Sequence, residues 1–274
     1  MTGRHVNYVA PTTLAEAYRA LQADDAVCLA GGQSLVAAMN LGLASPALIV
    51  SLRDIAALRG IETQADGGLR IGAMVSHAEL AELGPSAPGP ELLSRAARVV
   101  AYPAIRARGT IGGSVALADP SADYPVALQA IGASIELGGR SGTRMVSARD
   151  FFVGLFETAR ATGEVMLAIH VPPGPAGAGA AYEKLSIVAG DFAIVSVAAI
   201  GRDRLDIAVG GCGPTPIVVT GVGASDEALL AAGRALAASC DAPSDHRASA
   251  AYRRRVLPEL LRRTGRTALE RASA

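Results

Sequence analysis

Two glycine turns in this chain carry residue types that can hold an anion. The first is Gly31-Gly32-Gln33-Ser34 and the second is Thr110-Ile111-Gly112-Gly113-Ser114. A glycine pair lets the backbone approach a ligand closely and adopt dihedrals closed to residues with a Cβ. Consecutive amides in such a turn converge on one anion, and the hydroxyls of Ser34, Thr110 and Ser114 add side-chain donors. Two such clusters suit a ligand with two phosphate groups, a pyrophosphate, and need no net positive charge. Neither turn fits the G-x-G-x-x-G fingerprint or the P-loop pattern, so no Rossmann or Walker site is indicated. Asp119 and Asp123 follow the second turn. A carboxylate about ten residues beyond a phosphate loop can reach the hydroxyls of a ribose. Each can instead cap the helical run from Tyr124 to Ile131, a role that suits Asp119 better than Asp123.

The remaining chemistry-bearing residues narrow the choice. Of the 25 basic side chains, Lys184 alone is Lys, which marks it as a position for a compact, point-like ammonium. His5, His77, His170 and His246 have no metal-binding spacing; they read as structural, with His77 solvated or capping at a helix start. Cys28, Cys212 and Cys240 are too few for an iron-sulfur cluster of the ordinary four-thiolate kind and too scattered for a C-x-x-C site. Any redox chemistry therefore needs an organic cofactor. The 25 basic residues balance 25 acidic ones among 274, which leaves no broad positive field for a nucleic acid. The longest apolar run, Phe192 to Ile200, is too short to span a membrane, and the first residues have no signal-peptide core. A cytoplasmic protein is expected. The Arg253-Arg254-Arg255 and Arg262-Arg263 runs read as the solvated face of a helix.

Several elements must position these turns. A strand over about 5 to 9 precedes a helix capped at Thr12 or Thr13, with Glu16 placed for a capping box. Val27 to Ala30 is a buried strand that leads into the first glycine turn, and a helix follows from Leu35 to Leu41. Periodicity predicts further strands at 48–52, 69–73, 133–137 and 165–171, and helices near 76–83 and 91–100. Pro172 to Gly179, rich in Pro and Gly, is linker-like and marks a domain boundary. Beyond it, strands at 180–185, 193–201, 204–210 and 217–220 precede helices at 225–240 and about 246–271. Strands in series before helices predict an antiparallel sheet covered by helices on one face.

The segments Ala30-Gly31-Gly32-Gln33-Ser34-Leu35, Ile105 to Ser114 and Ala118 to Pro125 together resemble the FAD-binding medium subunit of the molybdenum hydroxylases, the family of carbon monoxide dehydrogenase and xanthine dehydrogenase. Ile71-Gly72-Ala73, Gly190-Asp191-Phe192-Ala193 and Ala251 to Arg254 extend the likeness in the right order. The resemblance implies an α+β protein: a two-part FAD-binding domain over 1–173, with α/β subdomains split near 55–60, followed over 179–274 by a small antiparallel sheet with helices. It implies that Gly31, Gly32, Gln33, Ser34, Thr110, Gly112, Gly113 and Ser114 hold the FAD pyrophosphate, with Ala30, Leu35 and Ile111 in the same cofactor-binding segments. It places Asp123 on the ribose side and Lys184, Asp191 and Phe192 near the flavin ring, where a cation such as Lys184 would favour the reduced flavin.

By the same resemblance, electrons come from a molybdopterin-binding large subunit through an iron-sulfur small subunit, and leave for NAD or another acceptor. Leu117, Ile187 and Val188 replace polar residues common in the family, and Met39-Asn40-Leu41-Gly42 departs from its usual sequence. Those losses motivate an alternative, a stand-alone FAD-dependent oxidase or monooxygenase, homo-oligomeric, with an apolar pocket for a small organic substrate beside the ring. A non-enzymatic nucleotide-binding scaffold is the third reading, which the intact glycine turns oppose.

Overall fold

The computed structural model describes residues 6–84 and 87–272. His5 and the start of the first expected strand lie outside the described residues. Strand β1 (Asn7–Val9), helix α1 (Leu14–Ala20), β2 (Ala26–Leu29), α2 (Leu35–Asn40) and β3 (Leu48–Ser51) form a small parallel unit with strand order β1-β3-β2. The expected capping box is present at Thr13 and Glu16. Ala17, Leu21, Val50 and Leu52 build the core of this unit and are closed off by Met74, Val165 and Leu167 from the next.

The second unit is an antiparallel sheet of β4 (Ile61–Thr63), β5 (Leu69–Gly72), β6 (Ser134–Gly139), β7 (Gly142–Ser147) and β10 (Val165–Val171), in the order β4-β5-β10-β6-β7. Between β5 and β6 run α3 (His77–Ala81), α4 (Pro88–Arg98), α5 (Pro103–Arg106), α6 (Ile111–Leu117) and α7 (Asp123–Ile131). Every residue of α7 is buried. Between β7 and β10 lie α8 (Ala148–Phe151) and the hairpin β8 (Phe152–Gly154) and β9 (Glu157–Thr158).

The third unit is the antiparallel meander β11 (Gly179–Leu185), β12 (Val195–Gly201), β13 (Arg204–Gly210) and β14 (Ile217–Gly223), followed by α9 (Asp226–Ser239) and α10 (Ala250–Ala272). Helices cover both faces of this sheet, where the sequence pattern led us to expect one. Side chains alternate along a strand. In β12, Val195, Val197 and Ala199 pack toward α9 and α10, while Ala198 and Ile200 join the core built on α4 and α7. Two-sided burial accounts for the continuous apolar run that supplies β12.

Candidate functional site

The two glycine loops meet. A Cβ on Gly31 would lie 2.3 Å from the carbonyl oxygen of Arg108 and 2.7 Å from Gly109 Cα, so the first loop rests directly on the backbone just before the second. Gly32 has φ +75°, the left-handed conformation that glycine accepts without strain. A Cβ on Gly113 would come 3.4 Å from that of Ala30. Residues about eighty apart in sequence thus form one wall.

Their amides are not equivalent. Among the described residues, none accepts a hydrogen bond from the amides of Gly31 through Leu35, and Ser34 forms no side-chain cap at the start of α2. Gln33 Nε2 donates to the Gly31 carbonyl at 3.0 Å, which braces the turn. The second turn departs from expectation because it is already the first turn of α6. Ile111 N donates to Val75 O (3.0 Å), Gly112 N to Ala73 O (2.9 Å), Gly113 N to the N-cap hydroxyl Thr110 Oγ1 (3.1 Å) and Ser114 N to Thr110 O (3.1 Å). Those four amides are committed inside the protein. Contrary to expectation, the second turn offers no open amide cluster over Ile111 to Ser114; the first turn does, and Thr110 and Ser114 line the same cleft as it.

Both loops line a cleft of about 650 Å3, a volume within the usual range for cofactor sites, roughly 300–1,000 Å3. Of the residues singled out in the sequence, Ala30 to Leu35, Thr110, Gly112, Gly113, Ser114, Asp123 and Phe192 line it. Ile111 instead points into the core, and Lys184 and Asp191 stand outside the lining. His77 and Ala101, which the sequence reading did not assign to the site, are part of the wall.

Asp123 is the first residue of α7 and is buried. Its carboxylate accepts from Tyr182 Oη at 2.7 Å and from Lys184 Nζ at 3.1 Å; Lys184 Nζ also donates to the Val99 carbonyl at 2.9 Å. Burial raises the Asp123 pKa, opposed by the Lys184 ammonium and the hydroxyl of Tyr182. The ammonium of Lys184 is thus paired with a buried carboxylate and stands outside the cleft lining.

The turn at Gly190, Asp191 and Phe192 packs against Ala101. Gly190 has φ +85°, and a Cβ there would lie 2.7 Å from the carbonyl oxygen of Ala101. Ala101 itself has φ +45°, and Arg106 Nη1 holds its carbonyl at 2.8 Å and that of Val100 at 2.9 Å. Asp191 Oδ1 accepts from Phe192 N at 2.7 Å, and the Arg247 guanidinium lies 5.2 Å from the Phe192 ring centre. Leu117 lines the cleft, whereas Ile187 and Val188 are exposed and outside it. Two of the three positions behind the idea of an apolar substrate pocket do not contribute to one.

His77 is buried, not solvated. Its Nδ1 lies 2.9 Å from Tyr124 Oη, and burial, with the nearby Arg106 charge, pushes its pKa down to about 4. The helix expected near 76–83 is α3, and Ser76 and Glu79 form a capping box at its start. The burial had no local signal, because it depends on α7 packing above.

Comparison with known proteins agrees with this architecture. Residues 4–174 match the family model described as FAD binding domain in molybdopterin dehydrogenase, and residues 180–268 match that of the CO dehydrogenase flavoprotein C-terminal domain. The chain is 37% identical to the carbon monoxide dehydrogenase medium chain of Afipia carboxidovorans, over 98% of this chain and 96% of that one. It is 33% identical to the nicotine 6-hydroxylase medium subunit of Paenarthrobacter nicotinovorans, over 94% and 95%. Among solved structures, quinoline 2-oxidoreductase from Pseudomonas putida 86 superimposes with a TM-score of 0.91 at 30% identity, covering 100% of both chains.

Proposed function

Because this chain belongs to the family of FAD-binding medium subunits of the molybdenum hydroxylases, we propose that it carries FAD in the cleft between its two loops, as the electron-transferring subunit of such a complex. The observation that carries the reading is the set of uncommitted amides from Gly31 to Leu35, set against the Thr110 and Ser114 hydroxyls in a cleft of cofactor size. These donors fit a diphosphate without any cationic side chain.

Each residue has a distinct task. The first loop donates to the diphosphate, and Gly31 keeps it seated on Arg108 and Gly109. Asp123 accepts from a hydroxyl on the ribose side, since a carboxylate with two partners retains acceptor capacity. Lys184 and Tyr182 hold that carboxylate in place. Phe192, with the Gly190 and Asp191 turn against Ala101, borders the flavin ring. When bound, FAD supplies a carrier that accepts electrons from one redox centre and delivers them to another.

The other centres belong to partner chains, a molybdopterin-binding large subunit and an iron-sulfur small subunit, with NAD or another acceptor downstream. No group of three or more metal-ligating side chains occurs among the described residues, and all three cysteines are free. No described helix is long and apolar enough to cross a membrane. Free thiols accord with a cytoplasmic location. We keep the division into an FAD-binding domain over 1–173 and a C-terminal domain over 179–274, which the two family-model matches support.

Purified from its native host, the chain should hold stoichiometric FAD and bring molybdenum and iron-sulfur partners with it. Gly31→Ala should abolish flavin retention on gel filtration, whereas Gly84→Ala, where a Cβ meets nothing within 4 Å, should leave it intact. A flavin-loaded homo-oligomer that oxidises a substrate unaided would overturn the subunit role. A colourless chain indifferent to added FAD would overturn the whole reading.

A further inference from the structure

The point where the two loops touch has a donor that no glycine motif announces. Tyr124 is fully buried, and among the described residues its hydroxyl has one hydrogen-bond partner, His77 Nδ1, at 2.9 Å. A buried phenol that leaves its proton without an acceptor loses a full hydrogen bond, so the hydroxyl donates and Nδ1 accepts. The neutral ring then carries its proton on Nε2. Burial keeps the ring neutral. Nε2 has no hydrogen-bond partner among the described residues and keeps some accessible surface, in a residue only 5% exposed. The ring lies against Gly109: a Cβ there would meet Nε2 at 2.6 Å and Cδ2 at 2.7 Å. The His77 amide donates to the Gly109 carbonyl at 3.0 Å, and Gly31 presses on the same backbone. His77, Gly31, Gly109 and Thr110 share the cleft wall.

We propose that His77 is a cofactor-binding residue whose Nε2–H donates to a phosphate oxygen of the dinucleotide where the loops meet, and that Tyr124 is the positioning residue that fixes its tautomer. This rests on FAD being the ligand of the cleft. It explains how the second loop region serves a diphosphate although the amides of Ile111 to Ser114 are committed elsewhere.

The test is titration of the apoprotein with FAD and with riboflavin, which lacks phosphate, followed by flavin fluorescence. His77→Phe should weaken FAD binding about 10- to 100-fold, the loss expected for a hydrogen bond to a charged group, and leave riboflavin binding unchanged. His77→Gln, which restores an N–H near Nε2, should recover most of the FAD affinity. In 15N-resolved imidazole spectra, the wild-type protein should show the Nε2–H tautomer, with an Nε2 signal that moves on addition of FAD, and Tyr124→Phe should mix the tautomers. Equal loss of FAD and riboflavin affinity in His77→Phe would reduce His77 to a structural prop and overturn the proposal, as would a wild-type Nδ1–H tautomer. If His77→Phe does not fold, the Gln variant and the spectra decide. Failure of the wild-type protein to bind FAD is a separate result, which would sink the functional reading itself.

Discussion

Lys184 and Asp123 show what one residue position can reveal and conceal. A single Lys among so many Arg residues marks a site where Arg does not serve, and a carboxylate after the second loop marks another; both were visible in the sequence. Their contact was not, because the strand carrying Lys184 meets α7 only after the third sheet docks. The pair is buried, with side-chain exposures of 5% and 7%, so removal of one partner leaves a charge without compensation. Lys184→Met should cost about 3–5 kcal/mol of stability at neutral pH. The sign of its pH dependence follows from burial. Without the ammonium, the Asp123 pKa in the folded state rises further above its unfolded value, so the unfolded chain binds fewer protons in that window and stability falls as pH rises through it. The Lys184→Met protein should therefore melt closer to wild type at pH 5 than at pH 8, and Asp123→Asn added to it should remove that difference. A Lys184→Met deficit equal at both pH values would show that Asp123 does not depend on the cation for its charge.

Among elements, those with a strong periodic or capping signal were legible and those without a buried stripe were not. α1 and α3 each carry a capping box, and α9 and α10 lie within a few residues of their expected spans. Strand β7 is exposed along almost its whole length, so it lacks the alternation that betrays a strand. The start of α6 was legible as a glycine turn but not as a helix, since two glycines in the first turn disfavour one. Its start depends instead on the Thr110 hydroxyl accepting from Gly113 N, and on Gly112 fitting where a Cβ would lie 2.6 Å from that of Ala73. Thr110→Val keeps the shape and deletes the cap. It should destabilise the apoprotein by about 1 kcal/mol in urea titration, with Thr110→Ser close to wild type. No loss in the Val variant would mean that packing against Ala73 alone holds α6 in place.

Across the whole molecule, the three units do not share one core equally. The large core joins the second sheet, α4 and α7 to one face of the third sheet, through Ala180, Ala198 and Ala208. The parallel unit has a smaller core and leans on the second sheet through Met74, Val165 and Leu167. A unit with few buried apolar contacts opens before the global transition. The first loop belongs to that weaker unit, and its amides face a cleft whose other wall is the stable body, so the cofactor should act as the missing cross-link. Ligand at 100 times its dissociation constant stabilises the competent state by about 2.7 kcal/mol, a factor of about 100 in local opening. Hydrogen exchange read by mass spectrometry should find β2, the first loop and β3 exchanging faster than α7 in the apoprotein. Added FAD should slow that segment by up to about 100-fold and change α7 and β12 little. Protection spread evenly over all three units would mean that the chain opens as one body, and that the first loop is not the part FAD fastens.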